Sequence, residues 1–243
     1  MPTHLQTSGV APRPDSGLFA DLKPHLSLPR LAPYLAAAGG NQRAAIRLYQ
    51  WNIELSGATY QALHVFEVVL RNALDQQLRI WNPTQVDSTT GVSRLSEWLL
   101  DPAPLLQRVL RDDIPKATAR AAAAAAARHR ALTHDDVLPQ LTLGAWRYLL
   151  PDRRLSKQYL WNAALHRSFP YRSRPEAHLV ADVDALHRLR NRVAHLEPIL
   201  DSRMADRHVT ALRHVLRDID PNVEQWFTSI QQITHVLRRR PRP

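Results

Sequence analysis

Leu63, Phe66, Leu70, Leu74, Gln77 and Trp81 recur at three- and four-residue steps, drawing an almost wholly apolar stripe through residues 58–81. That period belongs to a helix that buries one face, and no segment of the chain alternates as a strand would. Glycines number 7 and β-branched clusters are few, while Ala, Leu and Arg dominate, so propensity points the same way. The 243 residues suffice for one large helical domain, and a 44% hydrophobic content supplies a sizeable core. The expected fold class is all-α.

Along the chain, residues 1–29 carry Pro2, Pro12, Pro14, Pro24 and Pro29 with no apolar period, and read as a disordered or loosely docked arm. A helical domain is expected over residues 30–237, followed by a basic tail at 238–243. Within the domain, Leu31–Ala38 forms a short helix ended by Gly39 and Gly40. Asn41 caps the next helix, which Gly57 separates from the helix 58–81. Residues 82–93 read as a loop, and Pro102 and Pro104 open a further helical region. The tract 116–130, with seven consecutive alanines at 121–127, reads as a surface helix with little to bury. Thr133–Asp136 caps the segment Leu141–Leu150, and a helix over Ser156–Phe169 stops at Pro170. Pro175 opens a helix that runs through Leu196, and helices over Ser202–Asp218 and Asn222–Arg239 complete the chain.

Cysteine is absent, which excludes disulfides and thiol chemistry. There is no signal-like start and no apolar run of membrane-spanning length, so a soluble cytoplasmic protein is expected, without a membrane partner. No glycine-rich phosphate loop, paired-carboxylate metal site or His-Glu-x-x-His appears, and neither cofactor nor metal is expected. Lys and Arg number 32 against 22 Asp and Glu, a net charge of +10, and nearly all the cations are Arg. The guanidinium fork suits phosphate, so a polyanion such as RNA is the natural partner. A genome rich in Arg and Ala codons is the plain alternative.

On the helix 176–196, Leu179, Val183, Leu186, Val193 and Ala194 cluster on one side and should face the core. Asp184, His187, Asn191 and His195 form a second, polar stripe. Arg190 falls near the middle of the apolar side, where a charge is costly unless paired or hydrogen-bonded. Glu67 falls similarly within the apolar face of the helix 58–81. We therefore expect a polar cluster of Glu67, Arg71, Asn72 and Arg190 between the two helices; the alternative is a local Glu67–Arg71 pair.

Three segments carry a resemblance: Leu48–Asn52, Phe66–Ala73, and Leu189–His195 followed by Leu196-Glu197-Pro198-Ile199. Arg190-Asn191-Arg192-Val193-Ala194-His195 matches the RxxxxH motif of HEPN domains, and the three segments together resemble the Abi-like (abortive-infection) family. Leu141–Leu150 is similar to that family's Gly-aromatic segment. The likeness covers roughly residues 30–200, and Leu196 stands where the family often has a second histidine.

The resemblance implies a single HEPN-like helical bundle with extra peripheral helices, and a metal-independent endoribonuclease of abortive-infection or toxin type. His195 would act as general acid or base, and Arg190 would stabilise charge on the phosphate, leaving a 2′,3′-cyclic phosphate and a 5′-hydroxyl. Asn191 would orient the imidazole or bind phosphate; Arg71, Asn72, Arg192 and His187 stand in support. Arg190 and His195, five residues apart, diverge by about 140° on a regular helix. A homodimer with a composite site resolves this, and HEPN nucleases are similarly dimeric. An antitoxin or regulatory protein is a further possible partner. The competing reading is a non-catalytic helical dimer that binds RNA or a protein; a DNA-binding regulator ranks below both. On plainer readings His195 only caps a helix end, Asn191 is a solvated surface residue, His187 is a bystander, and Arg71 and Asn72 are structural.

Overall fold

The computed structural model describes residues 17–242. Among them every regular element is helical, as expected, with one isolated β-bridge between Val86 and Ser93. The α-helices are α1 (Leu18–Leu26), α2 (Leu28–Ala37), α3 (Gln42–Trp81), α4 (Pro104–Leu110), α5 (Asp113–Ala126) and α6 (His134–Val137). They continue as α7 (Leu143–Leu149), α8 (Leu155–Ala163), α9 (Glu176–Ala194), α10 (Ser202–Ile219), α11 (Pro221–Ile230) and α12 (Ile233–Arg238). No helix among the described residues is long and apolar enough to cross a membrane.

Residues 18–29, expected in a loose arm, are helical and docked; residues 1–16 of that arm lie outside the described residues. Phe19 and Leu31 bury against Ile46 of α3 in a small satellite cluster. Pro29 sits in the first turn of α2, where its missing N–H costs no hydrogen bond. The helix then ends at Gly39 and Gly40, both at positive φ, as expected. Asn41 caps α3 by accepting from the Ala44 amide at 3.0 Å.

Gly57 does not break α3, which continues for 40 residues. Glycine costs a helix interior about 1 kcal/mol. The flanking Leu55, Ala58, Thr59 and Ala62 are all buried on one face, and burying one leucine is worth roughly 1.5–3 kcal/mol. Packing therefore overrides the local preference. Helix α5 lies at the surface as expected, with Ala119, Ala123, Ala124 and Ala126 exposed, but it buries Ala117, Ala121 and Ala125 at four-residue steps. Two expected helices are each divided. Residues 156–169 form α8 and a 3₁₀ turn at Leu165–Ser168, and residues 222–239 form α11 and α12 with Gln231 and Gln232 between them. The supposed basic tail is partly docked: Arg239 pairs with Glu54 at 3.0 Å, and Arg240 donates to the Leu200 carbonyl at 2.7 Å.

Helix α3 is the spine of the core, contributing Leu48, Leu55, Phe66, Leu70, Leu74 and Leu78. Its buried Asp75 ties three parts of the chain together. The carboxylate accepts from Trp98 Nε1 at 2.8 Å, from Arg79 Nε at 2.9 Å, and from His134 Nε2 at 2.9 Å. Burial pushes the Asp75 carboxyl up, but the hydrogen bonds from His134, Trp98 and Arg79 outweigh it and hold the group below the usual carboxylate range.

Asp75→Ala should cost roughly 2–4 kcal/mol, because two buried donors lose their acceptor; urea denaturation followed by near-UV circular dichroism measures it, and a loss below about 1 kcal/mol would refute the assignment. Gly57→Ala should do the opposite. A Cβ there meets nothing within 4 Å, so the substitution should stabilise by about 0.5–1 kcal/mol in the same assay.

Candidate functional site

Helix α9 begins after Pro175 and buries Leu179, Val183, Leu186, Leu189 and Val193. Leu189 takes the place expected for Ala194, which is exposed, so the buried stripe is rotated slightly from the sequence expectation. The helix packs on α3, α7 and α10. These neighbours divide its polar residues between separate faces.

Arg190 is half-buried and faces α3. It lines a cleft of about 190 Å³ together with Tyr60, His64, Glu67 and Arg71. Glu67 and Arg190 thus face each other across the helix pair, as expected, yet no ion pair within 4 Å joins Glu67 to Arg190 or to Arg71 among the described residues. Arg71 Nε instead donates to Asn72 Oδ1 at 3.4 Å, and Asn72 is exposed and does not line the cleft. The expected four-residue cluster is therefore three residues around an open cleft, with Asn72 at its margin.

Asn191 and Arg192 turn away from that cleft and face α10. Asn191 Nδ2 lies 3.5 Å from His187 Nε2, one turn back. His187 is pressed against α7, where a Cβ on Gly144 would stand 3.3 Å from its Nε2. Burial, then the Arg147 and Arg190 charges, hold the His187 imidazole below its usual pKa. Arg147 in turn is ion-paired with Asp184, so the polar stripe of α9 is anchored to α7 at two points.

The helix ends at Ala194, two residues earlier than expected. His195 is the C-cap, and its amide donates to the Asn191 carbonyl at 2.9 Å. Leu196 N–H then donates to Val193 O at 3.0 Å and Glu197 N–H to Arg192 O at 2.9 Å, the paired closure of a Schellman end. That closure needs a left-handed residue after the cap, and Leu196 occupies it at φ 58°. Its side chain is 67% exposed. His195 is exposed beside it, and its flanking residues Ala194 and Leu196 line an apolar groove with Tyr49, Ile53 and Tyr60. Tyr60 borders both this groove and the Arg190 cleft, so the two are neighbours on one side of the α3–α9 pair.

The segments singled out in the sequence meet here. Asn52 of the Leu48–Asn52 segment is buried, and its Oδ1 accepts from the Ile199 amide at 2.6 Å, fixing the chain just after His195. Glu67 and Arg71 of the second segment face Arg190, and Gly144 of the fourth packs on His187. Sequence reasoning missed Tyr60 and His64, although Tyr60, His64, Glu67 and Arg71 follow the helical spacing of one face. Among the described residues no group of three or more His, Asp or Glu side chains is placed to hold a metal ion. Comparison with protein-family models, with curated proteins and with solved structures finds no match to this chain.

Leu196→Gly should stabilise the protein by about 1 kcal/mol in urea denaturation, since glycine adopts the left-handed cap without a Cβ penalty and little buried surface is lost. Destabilisation would mean that the Leu196 side chain is packed in solution.

Proposed function

We propose that this chain is an endoribonuclease of the HEPN type, acting as an abortive-infection or toxin-like effector in the cytoplasm, with Arg190 and His195 as its working pair. The observation that carries the reading is the placement of the RxxxxH residues. Arg190 faces a polar cleft with no carboxylate within 4 Å among the described residues, and His195 is exposed at the neighbouring helix end. A guanidinium left without an intramolecular partner keeps its fork for a phosphate, where it would stabilise charge developing on the non-bridging oxygens. An exposed imidazole is free to remove the ribose 2′-proton or to protonate the departing 5′-oxygen. The products are a 2′,3′-cyclic phosphate and a 5′-hydroxyl, and the reaction requires no metal.

Arg190 and His195 project from α9 about 140° apart, although the cleft and the groove beside them adjoin. We therefore assign the active site to a homodimer in which α9 and the exposed Ile53 and Tyr60 meet their counterparts, so that one chain's His195 works beside the other's Arg190. An antitoxin or other regulatory protein would act by covering this face. The same divergence favours one alternative, a helical dimer that binds RNA or a protein without cutting it.

Purified protein incubated with total RNA and tRNA in EDTA should cut, leaving cyclic phosphate ends. His195→Ala should slow cleavage by about 10²–10⁴-fold, with helicity and oligomeric state unchanged by circular dichroism and light scattering. Cleavage at the parent rate by His195→Ala would sink the mechanism. RNA binding without cleavage by the parent would establish the alternative.

A further inference from the structure

On the side of α9 turned away from the Arg190 cleft, a second polar site lies between α9 and α10. Arg188 and Arg192, one turn apart on α9, meet Arg207 and His208 of α10 around a cavity of about 480 Å³. Glu197 is the one carboxylate in its lining, and it is engaged by Arg192 at 3.3 Å. Arg207 reaches Asp201 only at 4.0 Å, between side chains that are both more than half exposed. Arg188 is exposed and has no ion pair among the described residues. Three guanidinium groups against a single paired carboxylate leave a strong positive excess in one concavity. Like charges so gathered repel one another, and an entering anion relieves the repulsion.

The histidine is the second observation. His208 is 9% exposed, and its Nδ1 is enclosed without a hydrogen-bond partner among the described residues. A buried polar atom left unpaired is uncommon. Burial, then the charges of Arg207, Arg188 and Arg192, hold its imidazole below the usual pKa, so the three cations act on one point. The remaining wall is apolar, made by Ala185, Leu189 and Met204. A cavity of this volume is the size of a small-ligand site.

We propose that the α9–α10 cavity binds the phosphate of a nucleotide, with Arg188, Arg192 and Arg207 holding the phosphoryl oxygens and the Leu189–Met204 wall against the nucleoside. The ligand's chemistry is a terminal phosphomonoester on a nucleoside, supplied either by a free mononucleotide or by the 5′-phosphorylated end of an RNA. This site does not depend on the nuclease reading, because it is detected by binding alone.

Isothermal titration calorimetry of the full chain with AMP, with inorganic phosphate, with adenosine, and with a short RNA carrying or lacking a 5′-phosphate tests it. AMP should bind and adenosine should not. Arg188→Gln combined with Arg207→Gln should weaken AMP by at least about tenfold, the effect of losing charge-assisted hydrogen bonds. Both side chains are solvent-accessible, so the double variant should keep the parent's circular dichroism spectrum. AMP tighter than the RNA end marks a free nucleotide as the ligand, and a 5′-phosphate-dependent gain in RNA affinity marks the RNA end. No binding of AMP, phosphate or the phosphorylated RNA, or binding unaltered in the double variant, would overturn the proposal.

Discussion

Helix α3 runs unbroken for 40 residues, about 60 Å at roughly 1.5 Å per residue, and the rest of the chain takes its position from that rod. Apolar burial along it is non-directional and does not by itself fix how the other helices slide or turn. Direction comes from polar ties at its two ends. Near its start, Trp51 Nε1 donates to Val236 O at 2.8 Å and Asn52 accepts from the Ile199 amide at 2.6 Å. Toward its other end, Asp75 gathers Trp98 and His134, while Asn82 donates to Leu95 O at 2.6 Å and to Asp101 O at 2.9 Å. Each tie joins residues far apart in sequence, so each sets the register of a whole segment. The site sits between these anchored ends, with α9 laid against the middle of the rod.

The placement of charge follows from the same architecture. Two buried carboxylates are surrounded by donors: Asp75 has three, and Glu224 accepts from Arg213, Arg217 and Thr228, whereas the buried Asp218 accepts from Arg174. Buried ions without such partners are expensive, and these clusters meet that requirement. Around α9 the pattern changes. Arg190 and Arg188 have no ion pair among the described residues, and the cations near His208 outnumber the carboxylates. Stability does not call for this arrangement, since an exposed ion pair contributes at most about 1 kcal/mol and an unpaired cation less. Recognition of anions is the use that unpaired, partly desolvated guanidinium groups serve well.

Local signals were legible in the sequence wherever one residue decides the geometry. Asn41 caps α3, Gly39 and Gly40 end α2, Thr133 and Asp136 form a capping box, and Pro104 and Pro175 stand at helix starts, all as their side chains dictate. The misreadings share one cause. Gly57 looked like a break, and the prolines near residue 24 looked like an arm. In each case tertiary burial, which no single residue announces, outweighed the local preference. The site divides in the same way. Arg190 stood out because its position on the helical wheel is wrong for a charge, and its facing partner Glu67 for the same reason. His64 and Tyr60 did not, because an exposed polar residue on a long helix is ordinary until a neighbour closes a cleft around it. The end of α9 was hidden too, since nothing about leucine signals a left-handed turn.

Why Arg190 and Glu67 face each other without touching has a physical reading. A direct pair would desolvate both groups and leave the guanidinium occupied. Held apart across an open cleft of about 190 Å³, both stay in reach of solvent, and the cost of placing charge on an otherwise apolar stripe stays small. Arg71, one turn beyond Glu67 on the same helix, adds a second cation to the cleft, and a phosphate arriving there would be attracted by two guanidinium groups and opposed by one carboxylate. In the proposed endoribonuclease, selectivity for an anion would rest on the difference of these terms, which follows from the packing of α9 against α3.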